Sequence, residues 1–204
     1  MQKKSYSFYK WISVIFRIYL VLEFLYNLFN KNIAASIYCI FILIATFWDV
    51  IMPKLCIPDW LGVLIQGFIF LSMYLGKLHG YYSKVINWDD YLHISSGIIV
   101  AIFALYTLLF INKKLRLNIH SISLITAFMI ITSIATAGAW EIFEFSGDTL
   151  LGLNSQGGSL NDTMHDIING TIGGLISSLL FYFKPSIFKI YPLECTNKDE
   201  LYPV

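Results

Sequence analysis

Residues 121–139 read SISLITAFMIITSIATAGA, nineteen residues free of Asp, Glu, Lys, Arg, His and Pro, ending against Trp140-Glu141. At about 1.5 Å of rise per residue, a helix of this length covers most of a bilayer's hydrocarbon. The run shows no strand-like alternation, and it is too long and too uniformly apolar for a soluble core. Two further runs behave alike: Ile94–Ile111 is uncharged after His93, and Ile167–Phe183 is uncharged after Asp166.

Working outward, six stretches are long and apolar enough to cross a membrane: Trp11–Phe29, Ile33–Met52, Trp60–Leu78, Tyr91–Ile111, Ile119–Phe145 and Ile167–Phe183. The chain is 57% hydrophobic and only 13% charged, against about 25% charged in ordinary soluble domains. A net charge of +1 and three cysteines exclude a basic nucleic-acid binder and a disulfide scaffold, and the hydropathy excludes disorder. Backbone groups in lipid must be bonded within the spanning segment, so the runs read as helices. The expected fold is all-α: a polytopic transmembrane bundle of six spans, one integral-membrane domain over residues 1–204, with a short polar tail at 184–204.

Lys and Arg near the span ends set the orientation. With the N-terminus inside, ten basic residues (Lys3, Lys4, Lys10, Lys54, Lys113, Lys114, Arg116, Lys184, Lys189 and Lys198) are cytoplasmic, against Lys31, Lys77 and Lys84 outside. Both termini are therefore expected in the cytoplasm of a cell with this protein in its cytoplasmic membrane. The first apolar run is too long for a signal-peptide core and lacks a small-residue cleavage site before Asn30, so it reads as an uncleaved span. Cys39 falls in a span and Cys56 and Cys195 on the inner side, so no structural disulfide is expected.

The few charges are not spread evenly. Seven of the thirteen acids (Asp89, Asp90, Glu141, Glu144, Asp148, Asp162 and Asp166), with His93 and His165, fall at the outer ends of spans four to six or in the loop between the last two. Helical spacing aims them: Asp90 and His93 are i, i+3; Glu141, Glu144 and Asp148 are i, i+3, i+7; Asp162, His165, Asp166 and Asn169 are i, i+3, i+4, i+7. Acids and imidazoles projecting from facing helices are how bundles hold metals. His93, Glu141, Asp162, His165 and Asp166 are the candidate ligands of one divalent ion, Mg²⁺, Mn²⁺, Ca²⁺ or, with both imidazoles, Zn²⁺. Glu144, Asp90 and Gln156 are the candidate catalytic residues, Glu144 as general base on bound water and the others orienting ligands or substrate.

Plainer readings accompany several of these. Asp89 reads as a cap of span four, and Ser159 or Asn161 as the cap of span six with Asp162 in its first turn. Glu141 and Glu144 resist that explanation, because they are expected at a helix C-terminal end, where the dipole disfavours anions. The connector Thr149–Asn161 is glycine-rich and lacks a phosphate-loop pattern. Gly170 and Gly174 form a small-residue pair in span six, read as close helix packing. Elsewhere, Arg17 is expected to pair with Asp49, Glu23 lies near mid-depth and needs a partner, Gln66 lies in span three, and His79 and His120 read as loop residues.

The order Asp90-x-x-His93-x-x-x-Gly97, Glu141-x-x-Glu144, Gly152…Gln156-Gly157…Asp162-x-x-x-Asp166 resembles the bacterial YjdF-like inner-membrane proteins, and is more distantly similar to VanZ-like proteins. The resemblance covers about residues 88–175. It implies a small polytopic bacterial membrane protein, and the VanZ-like proteins imply a cell-envelope theme through glycopeptide resistance. The outer loop here lacks the arginine that VanZ-like members tend to carry.

These readings converge on a membrane protein in contact with the lipid bilayer. Its expected activity is that of a divalent-metal-dependent hydrolase or transferase on a lipid or envelope precursor, with no nucleic-acid partner. The alternatives are a binding or accessory protein whose polar cluster is structural, and an ion or proton carrier.

Overall fold

The computed structural model describes residues 8–48, 57–157 and 159–188. All regular structure among them is helical. In chain order, α1 is Phe8–Phe29, α2 is Ile33–Ala45, α3 is Asp59–Ile69 with a π-helical continuation Phe70–Leu78, and α4 is Tyr81–Lys84. Then come α5 (Trp88–Leu115), α6 (Ile122–Leu151), α7 (Leu160–Phe183) and a 3₁₀ turn, Pro185–Phe188. Five helical stretches among the described residues are long and apolar enough to cross a membrane, and α2 is a shorter apolar helix. Their outward faces carry large apolar side chains such as Ile15, Leu22, Ile131, Ile172 and Phe183, a surface that lipid rather than water would cover.

The chain divides into two compact units near Trp88. In the first, α1 and α3 run parallel: the Tyr9 ring lies against Gly62, Phe16 against Phe70 (ring centroids 5.3 Å apart) and Tyr19 against Tyr74 (5.5 Å). Helix α2 runs antiparallel to both and packs against them, and Phe16, Leu20, Ile42, Ile69 and Tyr74 form the core. The sequence predicts a span over 33–52, but the described helix stops at Ala45. There Arg17 donates to the Thr46 carbonyl (2.6 Å) and to its hydroxyl (3.2 Å) and lies 3.8 Å over the Phe47 ring. A cation on the last carbonyls of a helix is a stable terminus. Asp49, the expected partner of Arg17, lies outside the described residues, as do Cys56, Cys195 and the tail beyond Phe188.

In the second unit, α5 and α7 run parallel and α6 antiparallel to both. Small residues bring the three backbones together. A Cβ on Gly97 would strike the Gly170 carbonyl, and one on Gly173 would strike the Ile94 carbonyl, so the contact between α5 and α7 is backbone on backbone. Ser133 of α6 closes the group, its hydroxyl directed at the carbonyls of Gly97 (3.3 Å) and Gly170 (3.1 Å). At the far end of α5, the Tyr106 hydroxyl donates to the Phe188 carbonyl and ties down the 3₁₀ turn.

Helix α6 runs to Leu151, six residues past the expected end of span five at Phe145. Nothing in Phe145-Ser-Gly-Asp-Thr-Leu-Leu151 forces a stop; Gly147 is tolerated inside the helix, and the terminator is Gly152 at φ +67°. Glu141 and Glu144 therefore lie within the helix rather than in its last turn. Asp148 is the acid in the last turn, where the dipole disfavours an anion, and its carboxylate accepts the backbone N–H groups of Ser155 (2.7 Å) and Gln156 (3.0 Å) in the loop beyond.

Candidate functional site

The glycine packing sets the register of the polar end of the second unit. On α6, Ser133 meets Gly174 and Ala137 meets Gly170, where a Cβ would lie 2.9 Å from the alanine methyl. One further turn along both helices brings Glu141 level with Asp166. On α5, His93 sits one turn from Gly97, and its Nε2 stands 3.6 Å from Asp166 Oδ1 and 3.4 Å from Asp89 Oδ1. Ligand atoms of Asp89, His93 and Asp166 all lie within 4.8 Å of one another.

The group is graded in exposure. The Asp166 and His93 side chains are 5% and 12% exposed, and Asp89 is 41% exposed, so the cluster opens to solvent on the Asp89 side. Glu141 is 4% exposed. Its Oε2 receives the Gln156 side-chain amide at 3.4 Å, while its Oε1 is buried without a hydrogen-bond partner. The same amide reaches the Glu141 carbonyl at 3.3 Å, so Gln156 clamps the loop onto this turn of α6. Burying carboxylates without cationic partners is costly, and among the described residues neither Lys nor Arg is paired with Asp89, Asp166 or Glu141.

The structure sorts the remaining sequence-predicted residues. Asp90 is not in this group and accepts a hydrogen bond from Asn169 Nδ2 at 2.6 Å, a second tie between α5 and α7. Glu144, one turn beyond Glu141, accepts from Trp140 Nε1 at 3.0 Å. Asp162 lies in the first turn of α7, capped by Ser159 and close to Gly157. His165 is exposed and outside the cluster. Asp89, expected as a cap, is the residue that sequence reasoning did not place in the site. Its i, i+4 spacing to His93 was the available signal, and the Asn169–Asp90 bond selects it over the i, i+3 neighbour.

The first unit holds a separate polar group. Glu23 accepts from Asn27 Nδ2 at 3.3 Å and lies 4.0 Å from His79 Nε2, and His79 packs 4.6 Å from the Tyr74 ring. Tyr74 in turn donates to the Tyr19 hydroxyl at 2.9 Å. His79, expected as a loop residue, is drawn in because the wide π-helical turn stacks residues i and i+5.

Residues 8–186 match the family described as "Predicted membrane protein (DUF2238)". The chain is also 27% identical over 129 residues to an "Uncharacterized protein" of Thermotoga maritima, a match covering 63% of this chain and 65% of that one. The chain thus spans just under two thirds of the length of the curated relative it matches. No solved structure matches it. With a family match over nearly the whole chain and helices of membrane-spanning length, the chain belongs to the DUF2238 family of membrane proteins.

Proposed function

We propose that the polar end of α5, α6 and α7 binds one divalent cation, and that the protein is a cation-dependent hydrolase or transferase acting on a lipid or cell-envelope precursor. The observation that carries the reading is the burial of Asp166 beside His93 and of Glu141 on the adjoining turn of α6, with an unpaired oxygen on Glu141 and, among the described residues, no Lys or Arg paired to either acid. Separations of 3.4 and 3.6 Å from His93 Nε2 to the two carboxylates suit ligands at about 2.1 Å from a shared ion. Three carboxylates with one imidazole suit Mg²⁺, Mn²⁺ or Ca²⁺, and Zn²⁺ where nitrogen is taken up. In this scheme Asp89, His93, Glu141 and Asp166 would hold the ion, Gln156 would orient Glu141, and Glu144 would be the general base; a bound divalent ion would supply Lewis acidity and make water easier to deprotonate.

The basic residues at the opposite helix ends support a site on the extracytoplasmic face of the cytoplasmic membrane, with both termini inside. The motif order over residues 88–175 supports a kinship with YjdF-like proteins and, further off, VanZ-like ones, which directs the substrate class toward the envelope. Thermal unfolding with Mn²⁺ against a chelator tests the reading. Mn²⁺ is expected to raise the Tm of the wild type and to leave Asp166→Asn unmoved; an unmoved wild type contradicts it.

A second reading has its own support. Asn169–Asp90 and Ser133 with its two carbonyls tie the three helices without an ion, as a structural knot in an accessory protein would. Under that reading Glu141→Gln leaves the folded protein's cellular phenotype intact.

A further inference from the structure

In the first unit, the parallel packing of α1 and α3 puts two buried polar side chains at the same level of the helical core. Tyr9 meets Gly62, and Phe16 meets Phe70. Ser13 and Gln66 each lie one turn beyond the first pair and one turn short of the second, which sets them at one level of the two helices. Both are 1% exposed. The Ser13 hydroxyl and both polar atoms of the Gln66 amide lack hydrogen-bond partners, as does the Trp48 indole N–H, whose ring lies 6.1 Å from Tyr9.

A buried primary amide offers two donors and an acceptor with two lone pairs. Left bare in a lipid-surrounded core, it forfeits its hydration with nothing in return. Buried polar groups are satisfied by protein or by ordered water, and a water needs two to four polar partners. Ser13 Oγ, Gln66 Oε1 and Gln66 Nε2 supply that number.

The backbone adds a second observation. The Phe70 N–H is shared between the carbonyls of Gln66 and Gly67, and from Phe70 onward α3 adopts the wider π-helical pattern. A water inserted into the helical ladder is one cause of such a departure from regular geometry.

We infer that Ser13 and Gln66 enclose a binding site for a small uncharged hydrogen-bonding ligand, occupied by water, at the α-to-π transition of α3. The occupant must donate to Gln66 Oε1, accept from Gln66 Nε2 and exchange a hydrogen bond with Ser13 Oγ, which water does. The site belongs to the first unit and is independent of the proposed cation site.

Radiolytic hydroxyl-radical labelling of the full chain in lipid nanodiscs tests this, because radicals form in place from bound water. Tyr9 and Phe16, which flank the site and are 6% and 8% exposed, are expected to be oxidised several-fold faster than Phe181 and Tyr106, buried in the second unit at 1% and 3%, and the excess is expected to depend on Gln66. Gln66→Leu is expected to bring Tyr9 and Phe16 down to the Phe181 rate without raising the Tm, and Ser13→Ala to lower them part of the way. Tyr9 and Phe16 labelled no faster than Phe181 in the wild type would overturn the inference. So would rates unaffected by both substitutions, or a Gln66→Leu Tm several degrees higher, the mark of an amide with no ligand.

Discussion

His93 and Asp166 reach each other from two different helices, Nε2 to Oδ1 at 3.6 Å, at the end of a packing seam made of glycines. The seam explains the meeting. Because Gly97 and Gly173 carry no side chain, α5 and α7 close to backbone contact, and one turn beyond the seam the His93 and Asp166 side chains come within reach of each other. Ser133 and Ala137 then hold α6 in the register that brings Glu141 to the same level.

Gly97→Ala or Gly173→Ala is expected to be among the most damaging single methyl additions in the chain. The methyl would meet a main-chain carbonyl, which cannot rotate away as a side chain can, so the cost lies at or above the roughly 1–3 kcal/mol of ordinary overpacking. Thermal unfolding in detergent checks this, with Gly67→Ala as the control, since a methyl there has open space.

Removing a ligand differs from removing what orients it. Asp166→Asn and His93→Ala are expected to weaken Mn²⁺ binding by more than the roughly 10–100-fold typical of losing an outer partner. Gln156→Ala, which frees Glu141 from its clamp, should fall within that lower range. Titration of each variant with Mn²⁺, read by electron paramagnetic resonance of the free ion, gives the order.

Acidification is expected to weaken the same binding. A ligating imidazole must be neutral and the carboxylates ionised, so protons compete with the cation and apparent affinity falls as pH falls. The dependence should be shallower in His93→Gln, which has one fewer site for a competing proton. Mn²⁺ isotherms at a series of pH values measure both slopes.

Arg17→Gln is expected to destabilise the first unit by about 1–3 kcal/mol, the worth of a charge-assisted hydrogen bond at a helix end. The guanidinium holds the Thr46 carbonyl and hydroxyl and covers the Phe47 ring. Lysine restores the charge but not the fork, so Arg17→Lys should recover only part of the loss in thermal unfolding.

Much of this arrangement is legible in the chain because lipid imposes a simple code. Uncharged runs such as 121–139 mark helices, and the rare acids stand out against them. What the code leaves open is rotation and termination. Asp89 and Asp90 are both neighbours of His93 on a helix, and only the distant Asn169 decides between them. The end of α6 depends on one glycine conformation at residue 152, which local apolarity does not reveal. His79 joins Glu23 through a π-helical turn, for which the sequence carries no recognisable signal.

The central claim is that Asp89, His93, Glu141 and Asp166 together hold one divalent cation. The most direct measurement is the stoichiometry of Mn²⁺ bound at equilibrium to the purified, chelator-stripped protein, with Asp166→Asn beside it. One ion per chain in the wild type and none at the same concentration in the folded variant is the predicted result. A folded wild type that binds none, or binds no more than Asp166→Asn does, would contradict it.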